Sequence, residues 1–299
     1  MPDSNARHSS AAAESARNPA TASAAHTVST PAPVVGGVDG ADPAPVLMSV
    51  TQGVVTLTLN RPQQFNALSE EMLAALEQAL DDIAANDQVR CVILAANGRA
   101  FCAGHDLKQM RANPDQGYYQ TLFAQCGGVM QRIVNLPVPV IARVHGTATA
   151  AGCQLVASCD LAIAADAAKF AVSGINVGLF CSTPAVALTR NVPLKKAFEM
   201  LVTGEFISAD DAAQSGLINR AVPAEQLDAE IARLVEVICA KSPVAVRTGK
   251  AMYRTQHAMA LPQAYDYAGK VMAGNMMADD VAEGIDAFIQ KRPPVWQGR

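Results

Sequence analysis

The chain has 299 residues, half of them hydrophobic and 17% charged, and carries a formal net charge of -4. Lys and Arg are scattered, so neither nucleic acid nor an anionic membrane finds a basic surface, and no apolar run approaches the roughly 18–20 residues that span a bilayer. Seven cysteines without a CxxC pair read as buried, reduced thiols rather than a disulfide framework or a zinc site.

Residues 1–45 are rich in Ala, Ser, Thr and Pro and contain no aromatic side chain. Such a segment buries too little apolar surface to offset its ordering entropy, so disorder is expected there. It lacks the continuous apolar core of a secretory signal, which leaves the cytoplasm as the expected compartment. Arg7 and Arg17 with few acids keep a mitochondrial presequence, and hence the matrix, as the lesser alternative.

From Val46 the elements alternate quickly. Val46–Val50 and Val54–Asn60 read as strands around the turn Gln52-Gly53. Ser69 is placed to cap a helix with Glu70 and Glu71 in its first turn and Met72, Leu76, Leu80 and Ile83 on one face. Val89–Ala96, Val138–Val144, Leu161–Ala165 and Lys169–Val172 are short buried strands, with helices around Asp106–Arg111 and Tyr118–Leu136. Ser208-Ala209-Asp210-Asp211 is a capping-box variant that opens a helix ending at Gly216, and Leu217–Val222 reads as another strand. Beyond Pro223 the pattern is helical throughout. The reading is an α/β core over 46–223 followed by a helical region, 224–299, whose apolar helices need a neighbouring subunit.

Two stretches carry the chemistry: RAFCAGHDL (Arg99–Leu107) and HGTATAAGCQLVASCD (His145–Asp160). In each an apolar strand runs into small residues that open a helix, leaving unpaired N–H groups where an anion can be held. Two such donors from separate loops make an oxyanion hole. No GxSxG, Walker A loop, GxGxxG or HExxH is present, which removes the serine-hydrolase, P-loop, dinucleotide-binding and zincin readings.

These stretches resemble the enoyl-CoA hydratase/isomerase (crotonase) superfamily, together with LNRPQQFNALS (Leu59–Ser69), the run Pro137–Ala165, Phe198–Pro223 and the closing EGIDAFIQKRPPVW (Glu283–Trp296). The segment SGINVGLFCSTPAVAL (Ser173–Leu188) is most similar to the subgroup of enoyl-CoA hydratase domain-containing protein 3. The resemblance implies a spiral of ββα units, a C-terminal helical region that builds a homotrimer or hexamer, and an acyl-CoA or enoyl-CoA thioester as ligand. Coenzyme A is then part of the substrate, and no separate cofactor or metal is implied. By position, the N–H groups of Ala103 and Ala151 match the family's oxyanion hole. Gln63, Gln64 and Phe65, and the run Ala103, Gly104, His105 and Asp106, match stretches that line the CoA site. Phe288 and Lys291 match a patch that approaches the adenine end.

The family's two catalytic glutamates fall on Gln154 and Gly174. Glutamine orients a water but has no useful basicity, and glycine offers only backbone, so two-glutamate hydration lacks both of its residues. His105 titrates in the right range and is the candidate acid/base, set against a local role at the helix start. Asp106 reads as a helix cap. Cys153 and Cys181 have no obvious His partner, Ser173 and Asn176 are candidates to shape the pocket, and His145 reads as a packed histidine. Three functions stay open: an enzyme of the hydratase/isomerase type in fatty acid or acyl-CoA metabolism, a catalytically silent acyl-CoA binder, and a different chemistry of the superfamily such as isomerisation, thioester hydrolysis or decarboxylation.

Overall fold

The computed structural model describes residues 43–299, so the expected disorder of 1–45 falls almost wholly outside the described residues. β1 (Val46–Thr51) and β2 (Val54–Leu59) form an antiparallel hairpin. Its turn residues Gln52 and Gly53 both adopt positive φ, as the tight hairpin twist requires. α1 (Glu70–Ala84) starts as its sequence dictates: the Ser69 side chain accepts from the Met72 N–H, and Met72, Leu73, Leu76, Leu80 and Ile83 are buried.

The chain then visits two sheets in turn. β3 (Cys91–Ala96) leads to β4 (Ala100–Cys102), α2 (Leu107–Ala112) and α3 (Gln116–Asn135). β5 (Val140–Val144) leads to β6 (Thr147–Thr149) and α4 (Ala151–Ser158). β7 (Leu161–Ala165) leads to β8 (Lys169–Ala171), α5 (Ser182–Leu188) and α6 (Leu194–Thr203). Next come β9 (Ile207–Ser208), α7 (Ala209–Gln214) and β10 (Arg220–Val222). One sheet has the order β1-β2-β3-β5-β7-β10 and the other β4-β6-β8-β9. Each unit thus places one strand in either sheet before its helix, which is the ββα spiral expected. β4 and β6 run parallel and adjacent, so the loops leaving them toward α2 and α4 emerge side by side.

The strand expected over Leu217–Val222 is confined to Arg220–Val222. Leu217 and Ile218 instead donate to the Ala212 carbonyl at 2.9 and 3.3 Å, closing α7 around Gly216 at φ 79°. After Pro223 come α8 (Leu227–Cys239), α9 (Pro243–Gln256), α10 (Leu261–Asn275) and α11 (Asp279–Gln290). α8 packs Leu227 and Ile231 on Cys91, Ile141 and Ile163 of the six-stranded sheet.

The helical pattern does not reach the end of the described chain: residues 292–299 fold back as a strap on α11. Glu283 accepts both arms of Arg292, at 2.6 and 2.7 Å, and the Val295 N–H at 2.7 Å. Buried Asp280 accepts from Ser242 Oγ at 2.6 Å and the Gln297 N–H at 2.6 Å. The Trp296 indole donates to the Ala240 carbonyl at 2.9 Å and lies against Gly284. Its hydrogen bonds to Arg292 and Val295 hold the Glu283 carboxyl down from 4.5 to about 2. A carboxyl depressed in the folded state contributes stability above pH 4.5 and loses it as pH falls toward 2. Trp296 is the sole tryptophan, so its emission is expected to shift to the red across that window. Glu283→Gln should show a loosened strap already at neutral pH, and an emission spectrum constant from pH 5 to 2 in the unsubstituted protein would contradict the assignment.

Candidate functional site

The two small-residue loops meet because β4 and β6 pair. A Cβ added to Gly104, at φ 91°, would lie 3.2 Å from the Ala151 nitrogen and 2.8 Å from the Ala150 Cβ. Ala151 opens α4, and its N–H has no acceptor among the described residues. Ala103 is different. Its N–H donates to the Phe65 carbonyl at 3.0 Å and is not free to meet a ligand. Among the described residues the Gly104 N–H is directed at the Cys102 thiol, and the His105 N–H has no acceptor. Leu68 brackets it, donating to the Gly104 carbonyl at 2.8 Å and accepting from the Asp106 N–H at 3.3 Å. This bridge turns the His105 N–H away from the 61–69 loop, on the side opposite Leu68. The N–H expected to be free at Ala103 is therefore occupied, by a backbone hydrogen bond that sequence spacing cannot reveal.

One close contact and one strained residue mark where the loops meet. A Cβ on Gly152 would fall inside the Cys102 carbonyl, so only glycine lets α4 pack this tightly on β4. Ala150 sits at φ 51° and ψ -121°, a strained conformation for a residue with a Cβ.

His105 lies edge-to-face on Phe123, with ring centroids 5.4 Å apart. Both of its ring nitrogens are buried without a hydrogen-bond partner. Burial pushes its pKa below the ordinary 6.5, against a weaker pull from the Leu68 backbone, so the imidazole is neutral near pH 7 and able to accept a proton. Gln154 lies one turn after Ala151 on the same face of α4. It is buried, and its Oε1 likewise has no partner. Buried polar atoms without partners are rare in folded proteins, and each calls for an explanation, a bound ligand or water among them.

The space at Gly174, where the resemblance puts the second glutamate, is closed. A Cβ on Gly174 would meet the Leu179 carbonyl at 2.6 Å and Cys181 Sγ at 2.7 Å. The turn around it is fastened by the Leu179 N–H to the Gly174 carbonyl, 3.0 Å, and by the Gly174 N–H to Cys181 Sγ, 3.2 Å. Burial pushes the Cys153 thiol up to about 12 and raises Cys181 as well, which leaves both protonated and poor nucleophiles.

Other residues fall into supporting places. Asp106 caps α2, accepting from the Lys108 and Gln109 N–H groups at 3.1 and 3.2 Å. Ser173 Oγ and Thr149 Oγ1 pair at 2.7 Å, and Asn176 donates to the Gly204 carbonyl at 3.3 Å. His145 is tied by Nε2 to the Gly98 carbonyl at 2.7 Å, the packed histidine expected. Gln63 and Gln64 are exposed, and Phe65 lies in the left-handed region with the Arg99 guanidinium 4.6 Å above its ring. These three join the site through the Phe65 carbonyl. Phe288 is 85% exposed and Lys291 ends α11. The side-chain hydrogen bonds of that helix and its strap to the rest of the chain run to Ala240 and Ser242, and none reaches the two loops. Sequence reading missed Phe123, which sits half-buried on α3 with no motif to mark it. It also missed Asn66, whose one signal was an Asn ahead of a helix cap.

The family model for enoyl-CoA hydratase/isomerase matches residues 49–299. The mouse (Mus musculus) enoyl-CoA hydratase domain-containing protein 3, mitochondrial, is 47% identical over 262 residues, 87% of this chain and 87% of the relative. Its human counterpart is 44% identical over 264 residues, 88% of this chain and 87% of the relative. Among solved structures, an enoyl-CoA hydratase of Mycobacterium smegmatis matches with a TM-score of 0.84 at 60% identity, over 85% of this chain and 99% of that one. The crystal structure of human enoyl-CoA hydratase domain-containing protein 3 matches with a TM-score of 0.82 at 44% identity, over 84% and 100%. The chain belongs to the enoyl-CoA hydratase/isomerase (crotonase) family and, within it, to the subgroup of enoyl-CoA hydratase domain-containing protein 3.

Proposed function

We propose that the protein binds an acyl- or enoyl-CoA thioester and polarises its carbonyl between the backbone N–H groups of His105 and Ala151. The observation that carries this reading is the pair of acceptor-free donors on adjacent loops, one opening a helix. Fixed donors aimed at a developing enolate oxygen are usually the largest electrostatic contribution to such chemistry. The neutral His105 imidazole is then the group that takes or returns a proton at the α-carbon. With one proton-moving side chain, the site suits a proton shift along the acyl chain better than addition of water.

A second reading, a silent acyl-CoA binder, is favoured by Gln154 and by the closed turn at Gly174. Turnover of crotonyl-CoA and 3-enoyl-CoA substrates, measured beside acyl-CoA binding by calorimetry, separates the two. If the enzyme turns over, His105→Ala should lower kcat by about 10²–10⁴-fold, the usual contribution of a positioned acid or base. An unchanged rate removes His105 from the mechanism. Gln154→Glu with Gly174→Glu should not create a hydratase, because a side chain at 174 must first displace Leu179 and Cys181. Efficient hydration by that double variant would refute the steric argument.

The exposed apolar residues Leu261, Tyr265 and Met272 of α10, and Phe288 and Ile289 of α11, support a homotrimer or hexamer, in which Phe288 and Lys291 serve a neighbour's CoA site. Sedimentation at micromolar concentration tests this, and a monomer would exclude it. No helix among the described residues is long and apolar enough to cross a membrane. Composition favours the cytoplasm, while the mitochondrial names of the vertebrate relatives support the matrix.

A further inference from the structure

We infer that Asn66 is a positioning residue for the thioester carbonyl: it fixes the Phe65–Asn66 peptide that withdraws the Ala103 N–H and leaves the His105 N–H as the donor. The inference rests on the reading of the loop pair as a carbonyl-binding site. Asn66 is fully buried and lies at φ 55°, directly after Phe65 at φ 51°. Two consecutive left-handed residues with side chains persist only where their surroundings hold them.

Asn66 supplies that hold. Its Nδ2 donates to the Asn97 carbonyl at 2.8 Å and to the Ala100 carbonyl at 3.0 Å. Its Oδ1 accepts the Arg61 N–H at 2.9 Å, and its own N–H donates to the Arg61 carbonyl at 2.9 Å. The Phe65 carbonyl belongs to the same planar peptide as the Asn66 N–H, so fixing one aims the other. That carbonyl takes the Ala103 N–H, one residue past the end of β4, while Ala100, at the start of β4, is held by the Asn66 amide. One side chain therefore ties both ends of β4 to the 61–69 loop, and the direction of the His105 N–H follows. After glycine, Asn is among the residue types most tolerant of this conformation, which alanine adopts at a cost.

The test compares two probes, butyryl-CoA and S-butyl-CoA, which differ in the thioester carbonyl. Calorimetry gives the preference for the carbonyl, and the absorbance of bound cinnamoyl-CoA gives its polarisation. The protein as it exists should prefer butyryl-CoA and shift cinnamoyl-CoA to the red. Asn66→Gly, which keeps the left-handed backbone, should cut that preference by about tenfold or more and reduce the red shift, since oxyanion donors act only when correctly placed. S-butyl-CoA affinity should hold within about twofold, which a general loss of structure would not allow. Asn66→Asp, similar in shape but lacking both donors, carries the same expectation. Preference and shift retained in either folded variant overturn the inference, as does a failure of both variants to fold. If the unsubstituted protein shows no preference for the carbonyl, the functional reading fails first and the inference falls with it.

Discussion

Gly152→Ala is expected to erase the preference for a thioester carbonyl, butyryl-CoA over S-butyl-CoA, while the protein still folds. The added Cβ has nowhere to go, because its ideal position falls inside the Cys102 carbonyl. α4 must back away from β4, and Ala151, the residue before Gly152, moves with it. In turnover, a misplacement of about 1 Å at a preorganised site costs on the order of 10²-fold in rate, and loss of one oxyanion donor about 10²–10³-fold in kcat. Overpacking of this kind also lowers stability by about 1–3 kcal/mol, which most domains survive. The neighbouring Ala150→Gly should act in the opposite direction. Ala150 is strained at φ 51° and ψ -121°, and glycine relieves strain of about 1–3 kcal/mol while adding about 0.4–1 kcal/mol of unfolded-state entropy. The expected outcome is equal or greater stability with thioester affinity retained. Calorimetric titration with butyryl-CoA and S-butyl-CoA beside urea unfolding reads both variants. An unchanged carbonyl preference in Gly152→Ala would show that α4 tolerates the shift and that its N-terminus is not part of the site.

The contrast between those adjacent residues shows what the sequence could and could not reveal. The hairpin at Gln52-Gly53, the Ser69 cap with its buried face Met72, Leu76, Leu80 and Ile83, and the capping box at Ser208 were all legible, because local chemistry and periodicity determine them. The two loops were legible as helix starts rich in small residues. The identity of the free donor was not. Whether Ala103 or His105 presents its N–H depends on a carbonyl at Phe65, nearly forty positions earlier, that only the folded chain brings within 3.0 Å. Gly174 read as the position of a missing carboxylate. That Leu179 and Cys181 have closed the space is a tertiary fact. The strap misled the helical reading for the same reason, since Arg292–Arg299 find their partners on α11 and at Ala240, just past α8, rather than in their own pattern.

Asp160→Ala is expected to cost about 3–5 kcal/mol of stability, the range for removing one partner of a buried ion pair. The reason lies in how α9 is attached. None of its apolar residues is buried, so apolar packing contributes little. Arg247, Lys250 and Arg254, spaced three and four apart on one face, reach into the body instead. Lys250 Nζ donates to Asp160 Oδ2 at 2.6 Å and to the Val138 and Ile133 carbonyls at 2.9 and 3.3 Å. Arg254 donates to Asp160 Oδ1 at 2.8 Å, and Asp160 Oδ2 also accepts the Val140 N–H at 2.8 Å. The Lys250 side chain is 7% exposed and that of Asp160 16%, so solvent screening is weak. Deleting the carboxylate strands a buried ammonium, a guanidinium and a strand N–H together. Lys250→Met should cost much less, since Asp160 keeps Arg254 and Val140 and the methionine covers the same apolar path. The two losses should also differ in pH dependence. Burial already holds Lys250 below its ordinary 10.5, with Asp160 pulling it back up. Without Asp160 the folded-state pKa drops further, so the unfolded chain binds more protons than the folded one below pH 10.5. Stability of Asp160→Ala should therefore rise with pH as the ammonium deprotonates, whereas Lys250→Met has no such group to titrate. Urea midpoints measured from pH 6 to 9.5 read the effect. A cost below about 1 kcal/mol, the value of an exposed pair, or a loss independent of pH would mean that α9 is held by something other than this cluster.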